Sequence, residues 1–306
     1  MARYPLALLL TRTLALLLAG CAAAAAQDIG TLNPQPLPPI EHPNAPNTPA
    51  KDLFGRKTTP APLHARSIGY YTHGCLAGAV ALPVTGKTWQ VMRLSRNRNW
   101  GHPNLIKLLE RLAAKLPAIG WPGLLVGDMA QPRGGPMYTG HWSHQVGLDA
   151  DIWLTPMPDR VLSAQEREEM MATNLVADDW KDVNPEIWSQ KYIDLFKIAA
   201  KDPEVERVLI NPAIKKALCR DVKSDRSWLH TMRPVFGHNY HFHVRIRCPK
   251  DSANCQAQPA PPRDEGCGAD LDWWFSRLAR PIKPGKPKHM LMSALPAACR
   301  QVLLAE

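Results

Sequence analysis

Tyr240-His241-Phe242-His243-Val244-Arg245-Ile246-Arg247 alternates apolar and polar side chains without a break. Successive side chains of a β-strand point to opposite faces, so this run reads as a strand with two unlike faces. Tyr240, Phe242, Val244 and Ile246 take one face; His241, His243, Arg245 and Arg247 take the other. The two histidines then project side by side, about 7 Å apart along the strand. A second run, Leu148-Asp149-Ala150-Asp151-Ile152-Trp153-Leu154, has the same period. Leu148, Ala150, Ile152 and Leu154 form its buried face, and Asp149, Asp151 and Trp153 the opposite one. Just upstream, His141 and His144 follow a glycine-rich turn running from Gly134-Gly135 to Gly140. Two polar strand faces thus offer carboxylates and imidazoles able to converge.

Neutral imidazole and carboxylate are ligands for a divalent metal, zinc above all. Catalytic zinc takes three protein ligands and keeps a fourth position for water. A lone His-x-His on a strand is more often a surface pair. The density of donors from His141 through Asp151 is what strengthens the metal reading. Other chemistries leave no motif. The chain has no His-Glu-x-x-His, no Gly-x-Ser-x-Gly, no Ser-x-x-Lys and no complete phosphate-binding glycine loop.

Outward from these strands, Pro103 precedes Leu105, Ile106, Leu108, Leu109, Leu112 and Leu116, a helical stripe that Gly120 stops. Ser163 and Glu166 form a capping box before a second helix. A third helix is expected over 189–201, ended by Pro203. A fourth opens at Asn211-Pro212, with proline in its first turn. Strands are expected at 123–127, 147–154, 206–210 and 240–247. Without regular alternation of strand and helix, this order predicts an α+β fold around a small antiparallel sheet.

The chain is 306 residues long and 45% hydrophobic, enough for a sizeable core. No apolar run reaches the roughly 20 residues of a membrane span. Its 30 prolines, about twice the usual share, gather in residues 27–63, 256–265 and 281–288. Residues 27–63 read as an extended arm. Residues 1–26 read as a secretory signal, with Arg3 and Arg12 before an apolar Leu14–Ala19 stretch. Two endings compete. Ala24-x-Ala26 suits cleavage before Gln27, whereas Leu18-Ala19-Gly20-Cys21 resembles a bacterial lipobox with a lipid anchor on Cys21. Either way Cys21 leaves the folded domain. Of seven cysteines, Cys75, Cys219, Cys248, Cys255, Cys267 and Cys299 remain, an even set expected to form disulfides outside the cytoplasm. Their pairing stays open at this point, since six cysteines allow 15 connectivities. The net charge of +10 falls to about +8 once Arg3 and Arg12 are removed. With an export signal, that charge points to an anionic wall polymer and not to nucleic acid.

The run from Gly140 through His141, His144 and Asp151 to Ile152 resembles the signature of the penicillin-insensitive murein endopeptidases. Gly127-Asp128-Met129-Ala130-Gln131-Pro132, Asn211-Pro212-Ala213-Ile214-Lys215, His238 through Val244, and Arg247-Cys248-Pro249 fit the same family. The resemblance runs from about residue 65 to 300. It implies a disulfide-stapled zinc peptidase domain over residues 64–306, of the lysostaphin, D-Ala-D-Ala peptidase and hedgehog type, with a Pro-rich C-terminal extension. It implies a periplasmic enzyme that cuts the D-alanyl–meso-diaminopimelyl cross-link of peptidoglycan. By position, the implied zinc ligands are His144, Asp151 and His243, with His141 as a further one. Asp179 matches an aspartate of a second metal position, but a family histidine three residues on is Asp182 here, which puts a second ion in doubt. The implied disulfides are Cys75–Cys299, Cys219–Cys267 and Cys248–Cys255.

In this reading one zinc acidifies its water, and His241, beside His243, is the candidate general base. His238 or His141 would stabilise the oxyanion or protonate the leaving amine. Gln145, Ser143 and Asp149 would orient ligands through hydrogen bonds. Arg245 and Arg247 read as a solvated strand end, with stem-peptide carboxylates as their alternative role. Two rival functions share the fold: a carboxypeptidase or dipeptidase that trims stems, and an inactive zinc-containing wall-binding module.

Overall fold

The computed structural model describes residues 29–276 and 289–306. The expected signal peptide, Cys21 and the Pro-rich stretch 281–288 lie outside the described residues. In chain order the elements are α1 (Ala50–Phe54), β1 (Arg66–Tyr70), β2 (His73–Ala77), β3 (Val80–Ala81), β4 (Trp89–Val91), β5 (Trp100–Gly101), α2 (Pro103–Lys115), β6 (Leu124–Val126) and β7 (Asp149–Trp153). There follow α3 (Ala164–Glu169), α4 (Gln190–Ala200), β8 (Val205–Ile210), α5 (Pro212–Asp221), β9 (Met232–Pro234), β10 (His241–Ile246), α6 (Ala269–Trp273) and α7 (Ala298–Leu304).

The main sheet has six strands in the order β4-β6-β7-β10-β8-β9. Its centre is antiparallel, as expected. Its margins are not: β4 runs parallel to β6, and β9 parallel to β8. The sheet is therefore mixed, which corrects the purely antiparallel expectation. Parallel neighbours need a crossover, and helices supply it. α2 lies between β4 and β6, and α5 between β8 and β9.

The helices follow their local signals. Pro103 sits in the first turn of α2, and His102 Nδ1 accepts from the Asn104 N–H at 3.2 Å. Leu105, Ile106, Leu108, Leu109, Leu112 and Leu116 are all buried, each apolar side chain contributing about 2 kcal/mol. Gly120 ends the run with φ +69°. The Ser163–Glu166 capping box is formed. Asn211 caps α5 by accepting from the Ala213 N–H at 2.8 Å. Phe196 of α4 meets Phe242 of β10 edge to face, with ring centroids 5.4 Å apart.

Residues 27–63 are not simply an extended arm. Ala50, Phe54 and Ala61 are buried and join Ile68, Cys75, Leu295, Cys299 and Val302 in a second apolar cluster. Short-range periodicity carries no trace of this, because the partners come from β1, β2 and the C-terminus. Three disulfides close the domain: Cys75–Cys299, Cys219–Cys267 and Cys248–Cys255. This is the pairing that the resemblance implies.

Candidate metal centre

Register decides which polar groups meet. β10 pairs with β7 so that His243 faces Asp151 and Arg245 faces Asp149. A slip of one residue would turn every imidazole into the aliphatic core. The polar faces of both strands are buried as fully as the apolar ones. Arg245 in particular is no solvated strand end. Its Nε lies 2.6 Å from Asp149 Oδ1, and its guanidinium stacks 4.0 Å from the centre of the Tyr71 ring. Arg247 remains exposed and donates to the Pro203 carbonyl.

The loop before β7 brings the other two histidines over the strand. Gly134 and Gly135 have φ of +61° and +75°. A Cβ on Gly135 would sit 2.4 Å from the Phe54 ring, so only glycine lets α1 pack beneath this loop. His144 is itself left-handed, with φ +68°, a conformation that costs about 1 kcal/mol or more outside glycine. Two bonds hold it there. Its N–H donates to Asp149 Oδ2 at 3.1 Å, and its Nδ1 reaches the Asp149 carbonyl at 3.3 Å. Gln145 anchors the loop to the β1–β2 turn, accepting from the Gly74 N–H and donating to the Thr72 carbonyl.

Asp151 is the point of convergence. His243 Nδ1 lies 3.1 Å and His144 Nε2 3.4 Å from its Oδ1, while His141 Nδ1 lies 3.4 Å from its Oδ2. His241 Nε2 is 3.7 Å from Oδ1. Ligand atoms of His141, His144 and Asp151 all lie within 4.8 Å of one another. Each of the three nearest histidines is engaged at its other nitrogen by a group outside this set. For His141 that group is Asp128 Oδ2, at 3.0 Å. For His144 it is the Asp149 carbonyl. For His243 it is Asp149 Oδ1, 3.0 Å away but outside strict hydrogen-bond angles. Metal-bound histidines are typically held in this way at the nitrogen that does not ligate. Two buried atoms at the centre, His144 Nε2 and Asp151 Oδ1, have no hydrogen-bond partner among the described residues. Buried polar atoms are almost always satisfied, and a cation between them would satisfy both. The donor set of imidazoles and one carboxylate fits zinc.

Burial alone would raise the carboxyl groups. Arg245 and His243 nevertheless hold Asp149 well below the usual carboxylate range, and His241, His144 and His141 do the same for Asp151. Burial lowers His144, and it pushes His241 down to about 4 and His238 down to about 3. His243 goes the other way, up to about 9, because Asp149 and Asp151 outweigh its burial. His141 is likewise raised by Asp151 and Asp128 against its burial.

The remaining residues divide. His238, at φ +50°, stands 4.8 Å ring to ring from His241, and its Nδ1 bonds the Phe236 carbonyl at 3.0 Å. Asp179 is exposed, and its Oδ1 accepts from the Lys181 N–H at 3.0 Å; no ion pair among the described residues joins it to the histidines. Asp182 pairs with Arg220 and Lys216. Trp153 is buried in the cleft wall, whereas Trp142, next to His141 in sequence, is 72% exposed. Sequence reasoning gave no role to Asp128, which pairs with Arg96 and Arg98 at 2.9 Å each and fixes His141. A cleft of about 260 Å³ opens between Arg93, Arg96, Asp128, His141, Trp153 and His241.

The family described as penicillin-insensitive murein endopeptidase matches the chain over residues 67–304. Curated penicillin-insensitive murein endopeptidases of Shigella sonnei (strain Ss046) and Escherichia coli (strain SMS-3-5) are each 44% identical to it over 248 residues. Those alignments cover 80% of this chain and 89% of theirs.

Proposed function

The chain belongs to the penicillin-insensitive murein endopeptidase family, and from that premise we propose that it is an exported zinc endopeptidase of the bacterial periplasm. Its substrate is cross-linked peptidoglycan, and the bond cut is the D-alanyl–meso-diaminopimelyl amide. We take its mixed sheet as a form of the hedgehog and D-Ala-D-Ala peptidase fold. The observation that carries the reading is the convergence of three histidine nitrogens on Asp151, with the His141 and His144 rings hydrogen-bonded at their other nitrogen and His243 Nε2 3.0 Å from Asp149.

His144, Asp151 and His243 would hold the ion, with His141 as a further ligand. Bound there, zinc supplies Lewis acidity at the scissile carbonyl and acidifies the attacking water. His241 Nε2, 3.7 Å from Asp151 Oδ1, is placed to take the proton of that water. His238 gives its Nδ1 to the Phe236 carbonyl, so the neutral ring presents a lone pair at Nε2. That atom would accept the proton His241 takes from the water, its ring being 4.8 Å away, and pass it to the amine as the C–N bond breaks, so that His241 is returned to its neutral form. Buried Trp153 and Tyr240 at the cleft edge limit water around the reacting groups. A second ion at Asp179 has less support, since that carboxylate is exposed and engaged with the Lys181 amide.

Digestion of purified cross-linked muropeptides, read by mass, tests the reading. Dimers should disappear, penicillin should not protect them, and a chelator should. A folded, zinc-loaded protein that leaves dimers intact would sink it. Release of terminal residues from monomers alone would favour the carboxypeptidase.

A further inference from the structure

Two exposed large aromatic side chains lie close together at the C-terminal end of α6. Trp273 and Phe275 are 47% and 38% exposed, on either side of Trp274 at the C-terminal end of α6. Trp273 and Trp274 meet edge to face with centroids 5.3 Å apart, and Trp274 meets Phe236 at 5.0 Å. The Phe236 carbonyl is the one bonded by His238, whose ring is 4.8 Å from His241. Ring contacts at either end and one backbone hydrogen bond between them therefore connect the proposed general base to the exposed aromatic shelf.

The shelf is fastened. Leu271 is buried, the Cys219–Cys267 disulfide ties its approach to α5, and Arg226 pairs with Glu265 at 2.6 Å just before it. Leaving apolar area in water forgoes about 25 cal/mol per Å², and a fixed patch of it marks an interaction surface. The chemistry of the patch narrows the partner. Exposed Trp273 offers a flat apolar face to the C–H face of a sugar ring, beside Phe275, whose ring carries the Lys216 ammonium 5.6 Å from its centre. The exposed carboxylates Asp270 and Asp272 offer acceptors for sugar hydroxyls.

We propose that this shelf binds the glycan strand of murein and so feeds the peptide bridge into the cleft. The proposal rests on the murein reading above. A cross-link joins glycan strands through stem peptides of roughly four residues, each spanning at most about 3.6 Å. Any enzyme that cuts the bridge in intact polymer therefore has a glycan within about 15 Å of the reacting bond. Trp274 packs on Phe236, two residues before His238, so the shelf and the proposed general base are joined through one short loop.

The test uses the mature chain with peptide-free glycan strands, made by amidase digestion of sacculi, in a sedimentation assay. The wild-type protein is retained, Trp273→Ala binds about three- to tenfold more weakly, and Trp273→Phe recovers most of the loss. On intact sacculi kcat/KM falls by the same factor. On a sugar-free cross-linked peptide dimer it changes by less than about twofold. Wild-type protein that ignores glycan strands overturns the proposal. So does an equal loss on both substrates in Trp273→Ala, or a Trp273→Phe protein that binds no better than Trp273→Ala. If wild-type protein cuts neither substrate, the endopeptidase reading fails, and glycan retention still decides the shelf by itself.

Discussion

On one face of β7 and β10, Ala150, Ile152, Phe242, Val244 and Ile246 pack into the aliphatic core. On the other, Asp149, Asp151, His241, His243 and Arg245 are buried as well. The backbone ladder is shared, so the two faces differ only in side-chain chemistry. The apolar face gains from leaving water. The polar face loses hydration, and its Coulomb attraction only offsets that loss. Stability should therefore reside on one face and chemistry on the other, and substitutions on either face can separate them.

The largest expected effect is on the polar face. His144→Ala should lower cross-link hydrolysis about a thousandfold or more and remove stoichiometric zinc. The ion-free variant should lose less stability than Phe242→Ala, because the loss of the Nδ1 bond to the Asp149 carbonyl is partly offset by removal of a buried unsatisfied Nε2. Full zinc content in this variant would refute the ligand set. Phe242→Ala, on the apolar face, should do the reverse. It should cost about 3–5 kcal/mol in urea unfolding and leave turnover per folded molecule nearly unchanged. If both variants lost stability alike, the two faces would not be distinct.

A subtler effect is expected one layer out. Asp128 fixes the His141 nitrogen that faces away from Asp151 and is itself held by Arg96 and Arg98. Asp128→Asn should weaken zinc affinity about 10- to 100-fold, measured by competition with a chromophoric chelator. Unchanged affinity would remove His141 from the ligands.

How much of this was legible in the sequence differs sharply between regions. The alternation of 240–247 and the leucine stripe after Pro103 were readable because side-chain period alone encodes them. The meeting of His243 with Asp151 was implied by the family resemblance alone, since register is a contact between distant segments that no local period encodes. The parallel margins escaped notice because β4 and β9 have three residues each, too few to show a period. Asp128 stands in the Gly127–Pro132 stretch that fits the family, but its role was not readable: it lies just beyond the three-residue β6, and its partners His141, Arg96 and Arg98 come from other loops. The burial of Phe54 against Gly135 depends on the fold having already formed. The family resemblance, not the pattern, singled out the seven-residue step from His144 to Asp151.

Lys215 sharpens the comparison from outside both faces. It is a fully buried cation of α5 whose Nζ donates to the Leu229 and Glu265 carbonyls, with no salt bridge among the described residues. Burial, with Arg233 adding to it, pushes its pKa from the ordinary lysine value of 10.5 down to about 7, while Glu265 and Asp264 oppose the change. Between these values the unfolded chain binds the proton and the folded chain does not. Stability from this group is therefore greatest above pH 10.5, falls as pH drops towards 7, and is flat below. The slope should be about 1 kcal/mol per pH unit in that window. Urea unfolding at pH 7.5 and 8.5 reads it, and Lys215→Met should remove it. A slope unaltered by Lys215→Met would mean that the ammonium keeps its proton on folding. Carbonyl partners would then compensate a buried charge as well as Asp149 compensates Arg245, and desolvation would no longer separate the polar face from the apolar one.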